Sequence, residues 1–332
     1  MTATKSKITA LRTVYPPISN ALAVTLMHDP EVEALLRNSD FYMIGGRAKA
    51  HFTQPIVDPD AEVIEFDFVV GDKSSPVKIV LRELPAIAHG GCPALEIEFD
   101  AEGSGFRVWK VGPDGEPSDL LEWFTTEKLL WDRAHGRPGI YGLDNLRELG
   151  TYDLLYVGIA KEGDSFDRLL ARGHKARQEI LASEPQRLPG ARVSDETFLF
   201  MFMADPLFIQ TFELDHEFTD ADFDAAYDGK RIVADAEKAF VNLLKPEYNV
   251  QLFKNYPKGK DGLYGSGLAR YGYVIAEQFA FNTAHGTIRG GVRTDGMISN
   301  GADAIFVEGD TVKLYRSGID FPADDDQPVT AV

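Results

Sequence analysis

The chain has 332 residues, with 34 lysines and arginines against 52 aspartates and glutamates, for a formal net charge of −18. A hydrophobic content of 44% at this length supports a packed core, in one large unit or several smaller ones. So acidic a balance excludes indiscriminate coating of nucleic acid, which needs cations at the phosphates, and confines any such contact to a local basic patch.

The single cysteine, Cys92, excludes an internal disulfide and suits a reducing, cytoplasmic setting. No apolar run is long enough to cross a bilayer, so no membrane contact is expected. Near the N-terminus Lys5, Lys7 and Arg12 precede the apolar run 21–27. Pro16 and Pro17 interrupt it and no small-residue cleavage site follows, so an export signal is not expected either.

Residues 1–40 read as mostly helical, with Asp29-Pro30 as a helix start and Val32, Leu35 and Leu36 on one face. From Phe41 to about Val111 the pattern turns to β: AEVIEFDFVVGD alternates, and EGSG at 102–105 reads as a hairpin connection. Residues 1–115 are therefore expected to form an α+β domain with an antiparallel sheet. The turn-rich GPDGEPSD (112–119) reads as a linker, and SDLLEWFTTEKLLWDRA after it as a helix capped by Ser118. A second unit is expected over 116–257, a β-rich extension over 258–318 and an acidic, disordered tail over 319–332.

Within the second unit, TYDLLYVGIA (151–160) has the apolar run of a strand buried on both faces, with Tyr156 and Gly158 near its end. Glycine there permits close backbone approach. Residues 166–181 read as one helix, with Phe166, Leu169, Leu170, Ile180 and Leu181 along an apolar stripe. Arg168, Arg172 and Lys175 share the opposite face and His174 lies at its edge: a solvated face, or a local patch for an anion. TFLFMFMAD (197–205) reads as a strand ended by Asp205-Pro206, with LFIQTFEL as its neighbour. The acidic loop 220–228 lacks the turn glycine and terminal glutamate of a calcium loop.

The helix 231–244 turns Ile232, Val233, Ala236, Phe240, Leu243 and Leu244 inward, with Glu237 on or beside that stripe. A carboxylate there loses hydration and needs a buried salt bridge, a hydrogen-bond donor or a metal; residue types alone leave these open. Pro246 stops the helix, and KPEYN turns the chain so that Asn249 can point back.

In order, YVG (156–158), Arg168, HKARQEIL (174–181), Glu237, KPEYN (245–249) and NYP (255–257) resemble a divergent branch of the GIY-YIG nuclease superfamily, over residues 140–257. The resemblance implies a small antiparallel sheet flanked by helices, and Mg²⁺ or Mn²⁺ held by Glu237 at a scissile phosphate. Arg168 would stabilise charge on that phosphate, with Arg172 as its rival. Tyr156, and Tyr141 if GIY (139–141) is the first signature strand, would position or deprotonate the attacking water. His174 would be an alternative base, Asn249 would orient the site, and Gly158, Lys161, Arg172 and Lys175 would face the substrate.

The chain departs from the pattern in that LDNLRELG (143–150) separates GIY from YVG, and Ile159 stands where relatives often carry lysine. The function so implied is a metal-dependent endonuclease, on DNA in preference to RNA, of the kind found in prokaryotic defence or mobile elements. The alternatives are an inactive nucleic-acid-binding or assembly module of the same outline, and a scaffold unrelated to nucleic acid. The flanking regions leave room for a protein partner or a homo-oligomer. The chain has no Gly-rich phosphate loop, HExxH, GxSxG or CxxC pair to favour another enzyme class.

Overall fold

Three segments, Phe41–Gly46, Thr151–Ile159 and Thr197–Thr211, carry apolar residues at consecutive positions and form adjacent antiparallel strands. Consecutive apolar residues suit strands covered on both faces, and both are covered. Phe41, Met43, Phe198, Phe200 and Phe202 pack against the long helix Gly229–Leu244. Tyr42, Ile44, Leu199 and Met201 face the other way, against Val32 of the helix Pro30–Leu36, Leu169 and Ile180. The computed structural model describes residues 4–88, 94–212, 228–293, 295 and 297–323, and within them the architecture is mixed α+β. Cys92, most of the acidic loop (Asp220, Asp222 and Asp224) and the tail beyond 323 lie outside the described residues.

The three strands are the middle of a ten-stranded sheet, far larger than the small sheet expected. On one side it continues through Ala280–Thr283 to Gly286–Arg289. On the other it runs through Thr4–Thr13, Arg270–Ile275 and Ala304–Glu308 to Thr311–Tyr315, and the short Ile18–Ser19 pairs with the end of the Thr197–Thr211 strand. The first strand, expected to be helical, is parallel to Arg270–Ile275 and antiparallel to Thr197–Thr211. Pairing on both sides with remote segments overrides its weak local preference.

The expected divisions at 115 and 257 do not follow this pairing, because the sheet takes strands from every part of the chain. Residues 47–150 are instead an excursion between two adjacent strands, Phe41–Gly46 and Thr151–Ile159, with a core of their own. A five-stranded sheet built on Val63–Val70 and Lys73–Val80 packs beside the hairpins Leu95–Phe99, Gly105–Val111 and Pro117–Thr125, around Phe52, Phe66, Phe68, Phe106 and Phe124. The expected Ser118-capped helix is a strand up to Thr125. The helix starts at Thr126, with the Thr125 hydroxyl accepting from Lys128 N at 3.2 Å. At the base of the excursion, buried Arg47 donates to Glu127 at 2.5 Å, Leu149 O at 2.8 Å and Tyr152 Oη at 2.9 Å, tying the outgoing and returning chain together.

Two further expectations are corrected. Asp205-Pro206 does not end a strand; Thr197–Thr211 runs through it. Its neighbour Phe41–Gly46 pairs only as far as Phe202, so on that side Pro206 has no strand partner among the described residues and a missing N–H costs no ladder bond there. The single helix expected over 166–181 is two pieces, a π-helical turn Asp167–Ala171 and a helix Lys175–Ser183, separated at Gly173 with φ +75°.

The long helix is fastened at Asp235. This buried carboxylate accepts from Tyr256 Oη at 2.5 Å, Leu263 N at 2.6 Å and Tyr273 Oη at 2.8 Å, tying the helix to the C-terminal loops and the Arg270–Ile275 strand. Three donors aimed at one carboxylate favour an acceptor-only group. Tyr273→Phe is expected to cost about 1–2 kcal/mol and Asp235→Asn more, because an amide N–H₂ would face donors. Urea denaturation of both variants measures this, and an Asp235→Asn variant as stable as Tyr273→Phe would refute it.

Candidate functional site

Tyr156 reaches its position through an irregularity in the strand that carries it. Tyr152, Leu154, Val157 and Ile159 face the long helix, whereas Leu155 and Tyr156 face the opposite layer. Strict alternation would have put Tyr156 with Tyr152. A register shift between Leu154 and Tyr156 against the Phe41–Gly46 strand reverses the sense. Tyr156 therefore shares a face with Tyr42, whose Cα lies opposite Gly158. Their rings stack with centroids 6.2 Å apart and 19° between planes. A Cβ on Gly158 would lie 2.6 Å from the Tyr156 ring and 2.7 Å from that of Tyr42, so only glycine lets both rings lie over this strand.

The outer edge of the same strand pairs with Ala280–Thr283 only through Thr151–Asp153. Beyond that, Tyr248 N donates to Leu155 O at 3.1 Å. Asn249 accepts from Val157 N at 2.9 Å through Oδ1 and donates to Val157 O at 2.8 Å through Nδ2. Both ends of the Asn249 amide are thus spent on the main chain. It holds the edge of the strand in place.

His174 caps the helix Lys175–Ser183. Its Nδ1 accepts from Arg177 N at 3.1 Å, which puts the ring proton on Nε2, and Nε2 donates to Tyr42 Oη at 2.9 Å. The ring is 2% exposed, and burial, with Arg168 and Arg177 nearby, lowers its pKa to about 4. Its one lone pair, on Nδ1, is occupied by Arg177 N and its pKa is lowered, so the ring is neutral and poorly placed for the expected role of alternative base. It orients Tyr42 so that the phenol proton points elsewhere.

Arg168 and Arg172 sit on the π-helical turn, which is anchored by ion pairs from Arg37 to Asp164 at 2.8 Å and Asp167 at 3.1 Å. Arg172 is paired with Asp167 at 3.2 Å. Arg168 has no carboxylate partner among the described residues and lies close enough to bear on Tyr42, Tyr156 and His174. Of the two arginines, Arg168 is the one without a carboxylate partner among the described residues.

Glu237 comes from the long helix and meets this group at the end of the edge strand. Tyr42, Tyr156, Arg168, Arg172, His174, Lys175, Lys161, Glu237 and Asn249 line one open cavity of about 580 Å³. Glu237 makes no hydrogen bond or ion pair with any described residue, which removes the buried salt bridge to an arginine as its explanation. Burial raises its pKa to about 7, with Lys161 and Lys238 opposing and Asp261 adding to the rise. Burial likewise raises the pKa of Tyr42 and Tyr156, so both are phenols at neutral pH. Among the described residues no group of three or more His, Cys, Asp or Glu side chains is placed to hold a metal ion.

Tyr141 is not part of this cavity. Ile140–Gly142 pairs with Lys73–Val80 in the five-stranded sheet, and the exposed Tyr141 hydroxyl donates to Glu83. The tyrosine beside Tyr156 is Tyr42, in FYMIGG (41–46), within the stretch expected to form a separate N-terminal domain. The signal was a tyrosine within an apolar strand closed by Gly45-Gly46. Comparison with protein-family models, curated proteins and solved structures found no match to this chain.

Gly158→Ala is expected to displace one of the two tyrosines at a cost of about 1–3 kcal/mol, read as lower stability and an altered near-UV tyrosine signal. An unchanged spectrum would contradict the packing described. Glu237 ordinarily titrates at 4.5 and here at about 7, so its neutral form favours the folded state. That stability is fully present below pH 4.5 and is lost as pH rises through 7. Glu237→Gln should therefore melt with the parent at pH 4.5 and above it at pH 8.5, by on the order of 1–3 kcal/mol. Equal melting at both values would refute the assignment.

Proposed function

We infer that the cavity hydrolyses phosphodiester bonds, as a metal-dependent endonuclease of GIY-YIG type with DNA as the preferred substrate. One observation carries the reading: a carboxylate without an ion-pair partner and an arginine without a carboxylate partner among the described residues line one open cavity with two stacked tyrosines. The strand pairing supports it too, since the two tyrosines stand on adjacent antiparallel strands, as a signature hairpin interrupted by residues 47–150 would place them.

A divalent cation fits Glu237 on the chemistry of the donors. One unpaired carboxylate with open space beside it suits Mg²⁺ or Mn²⁺, hard cations that keep several waters and take substrate phosphate oxygens as further ligands. Such an ion would supply charge neutralisation at the scissile phosphate and its leaving oxygen. The chain's own groups do the rest. Arg168, with all its donors uncommitted to a carboxylate, binds the non-bridging phosphate oxygens and meets the charge that grows on them.

Tyr42 accepts from His174, which leaves its own proton for another acceptor; with Tyr156 it holds the attacking water in line with the phosphorus. A bond forms from the water oxygen to phosphorus as the bond from phosphorus to the leaving sugar oxygen breaks. The water's proton passes by way of the phenols to solvent and the leaving sugar oxygen takes a proton from solvent, so the phenols are protonated before and after the step. Asn249 and Gly158 act only through the strand they fix.

That no group of three or more His, Cys, Asp or Glu side chains among the described residues is placed to hold a metal ion favours the alternative, a binding module of the same outline that does not cleave. Plasmid nicking with Mg²⁺ or Mn²⁺ separates the two. Glu237→Ala and Arg168→Ala are each expected to lower the rate by a factor of about 100 or more, and Arg172→Ala by less than about tenfold. Binding without nicking by the parent protein would leave the module; nicking that survives Glu237→Ala would exclude this site as its source.

A further inference from the structure

Glu237 stands where two cavities meet. Besides the one holding the tyrosines, a second of about 830 Å³ opens between the first turns of the long helix and the loop around 251–261. The two share Ile159, Lys161, Glu237, Gln251 and Phe253. Lysine and arginine outnumber carboxylates six to four on the walls of the second cavity, in a chain where acids exceed bases by 52 to 34. Part of that positive charge is neutralised locally: Lys238 pairs with Asp261, and Lys258 with Asp310 at 2.7 Å. Arg231 donates to Gly262 O at 2.6 and 3.1 Å. Lys161, Lys230 and Lys254 remain, with no carboxylate partner among the described residues. Burial raises the pKa of Asp40 on the same wall.

We propose that the second cavity is a binding track for the phosphate backbone of a polynucleotide strand continuing past the reacting phosphate. The proposal rests on the nuclease reading of Glu237 and extends it. A strand with an internal phosphate at Glu237 must leave in both directions. The tyrosine cavity takes one arm, and the only other opening that shares Glu237 among the cavities described is the lysine-lined one. Uncommitted lysines on flexible stems act as point charges, which suits following a backbone without reading bases. Half-buried Phe253 on the shared wall offers a face for a base to stack on. A basic track confined to this path reconciles a strongly acidic protein with an anionic substrate, since the rest of its surface repels nucleic acid.

The test is the double variant Lys230→Glu/Lys254→Glu, two exposed positions away from the tyrosine cavity, with Lys230→Gln/Lys254→Gln as a milder partner should the reversal destabilise the fold. Binding of a labelled single-stranded oligonucleotide is measured against salt. Hydrolysis of bis(p-nitrophenyl) phosphate, too small to span both cavities, is followed with Mg²⁺ or Mn²⁺. The double variant is expected to bind the oligonucleotide at least about tenfold more weakly at low salt, with a salt slope shallower by roughly 1.5. It should lose far more on the oligonucleotide than on the small diester. Unchanged affinity and slope, or a parent protein that hydrolyses the small diester but binds no oligonucleotide, would overturn the track alone. Weakened binding with no hydrolysis of either substrate by the parent would leave the track standing and remove the nuclease reading.

Discussion

The pairing of Phe41–Gly46 with Thr151–Ile159 is the constraint on which the site depends. It places Tyr42 opposite Gly158, and the shift at Leu155 turns Tyr156 onto the same face. Without that shift Tyr156 would join Tyr152 beneath the long helix, and the tyrosine pair would not exist. Without the glycine the two rings could not lie together over the strand. His174 then has a partner only because Tyr42 is held there. The site is thus a consequence of register first and of residue type second.

Two carboxylates two positions apart on one helix show how surroundings divide roles. Asp235 meets three donors and no opening, and such a group fastens elements together. Glu237 meets none and faces a cavity. Burial raises the pKa of both, but in Asp235 the hydrogen bonds answer the lost hydration, and in Glu237 nothing within the described residues does. An unanswered carboxylate at a cavity wall is held there by the helix stripe around it, Val233, Ala236, Phe240 and Val241, at a cost that a bound cation would offset. The basic groups tell a similar story. Arg172, Lys238 and Lys258 are spent on nearby acids, whereas Arg168, Lys161, Lys230 and Lys254 have no carboxylate partner among the described residues.

Much of this was legible in the sequence where the signal is local. The helix bearing Glu237, its apolar stripe and its stop before Pro246 are periodicity and a breaker. The strand bearing Tyr156 is a short apolar run before a glycine. Asn249 turning back follows from Lys245, at φ 46°, and Pro246 ending the helix. What failed was non-local. Tyr42 is separated from Tyr156 by residues 47–150, and no pattern within either segment names the other as its neighbour, so a nearer tyrosine at 141 took its place. Thr4–Thr13 became a strand because two distant strands flank it. Gly173 broke a helix that the apolar spacing alone would have carried through, and the break is what frees His174 to cap and to reach Tyr42.

The excursion itself explains why so large an interruption leaves the site intact. Closing a long loop costs little more than closing a moderate one, because the entropy grows only with the logarithm of length. Residues 47–150 also have a separate aromatic core of their own. What the central sheet requires of them is that their two ends meet, and Arg47 enforces this by bonding to Glu127, Leu149 and Tyr152 at the junction. The strands can then keep the register that the tyrosines need, while the excursion presents its surface independently of the cavity. A site made from three separate stretches of chain, joined through one strand pair, is in this way insulated from what is inserted between them.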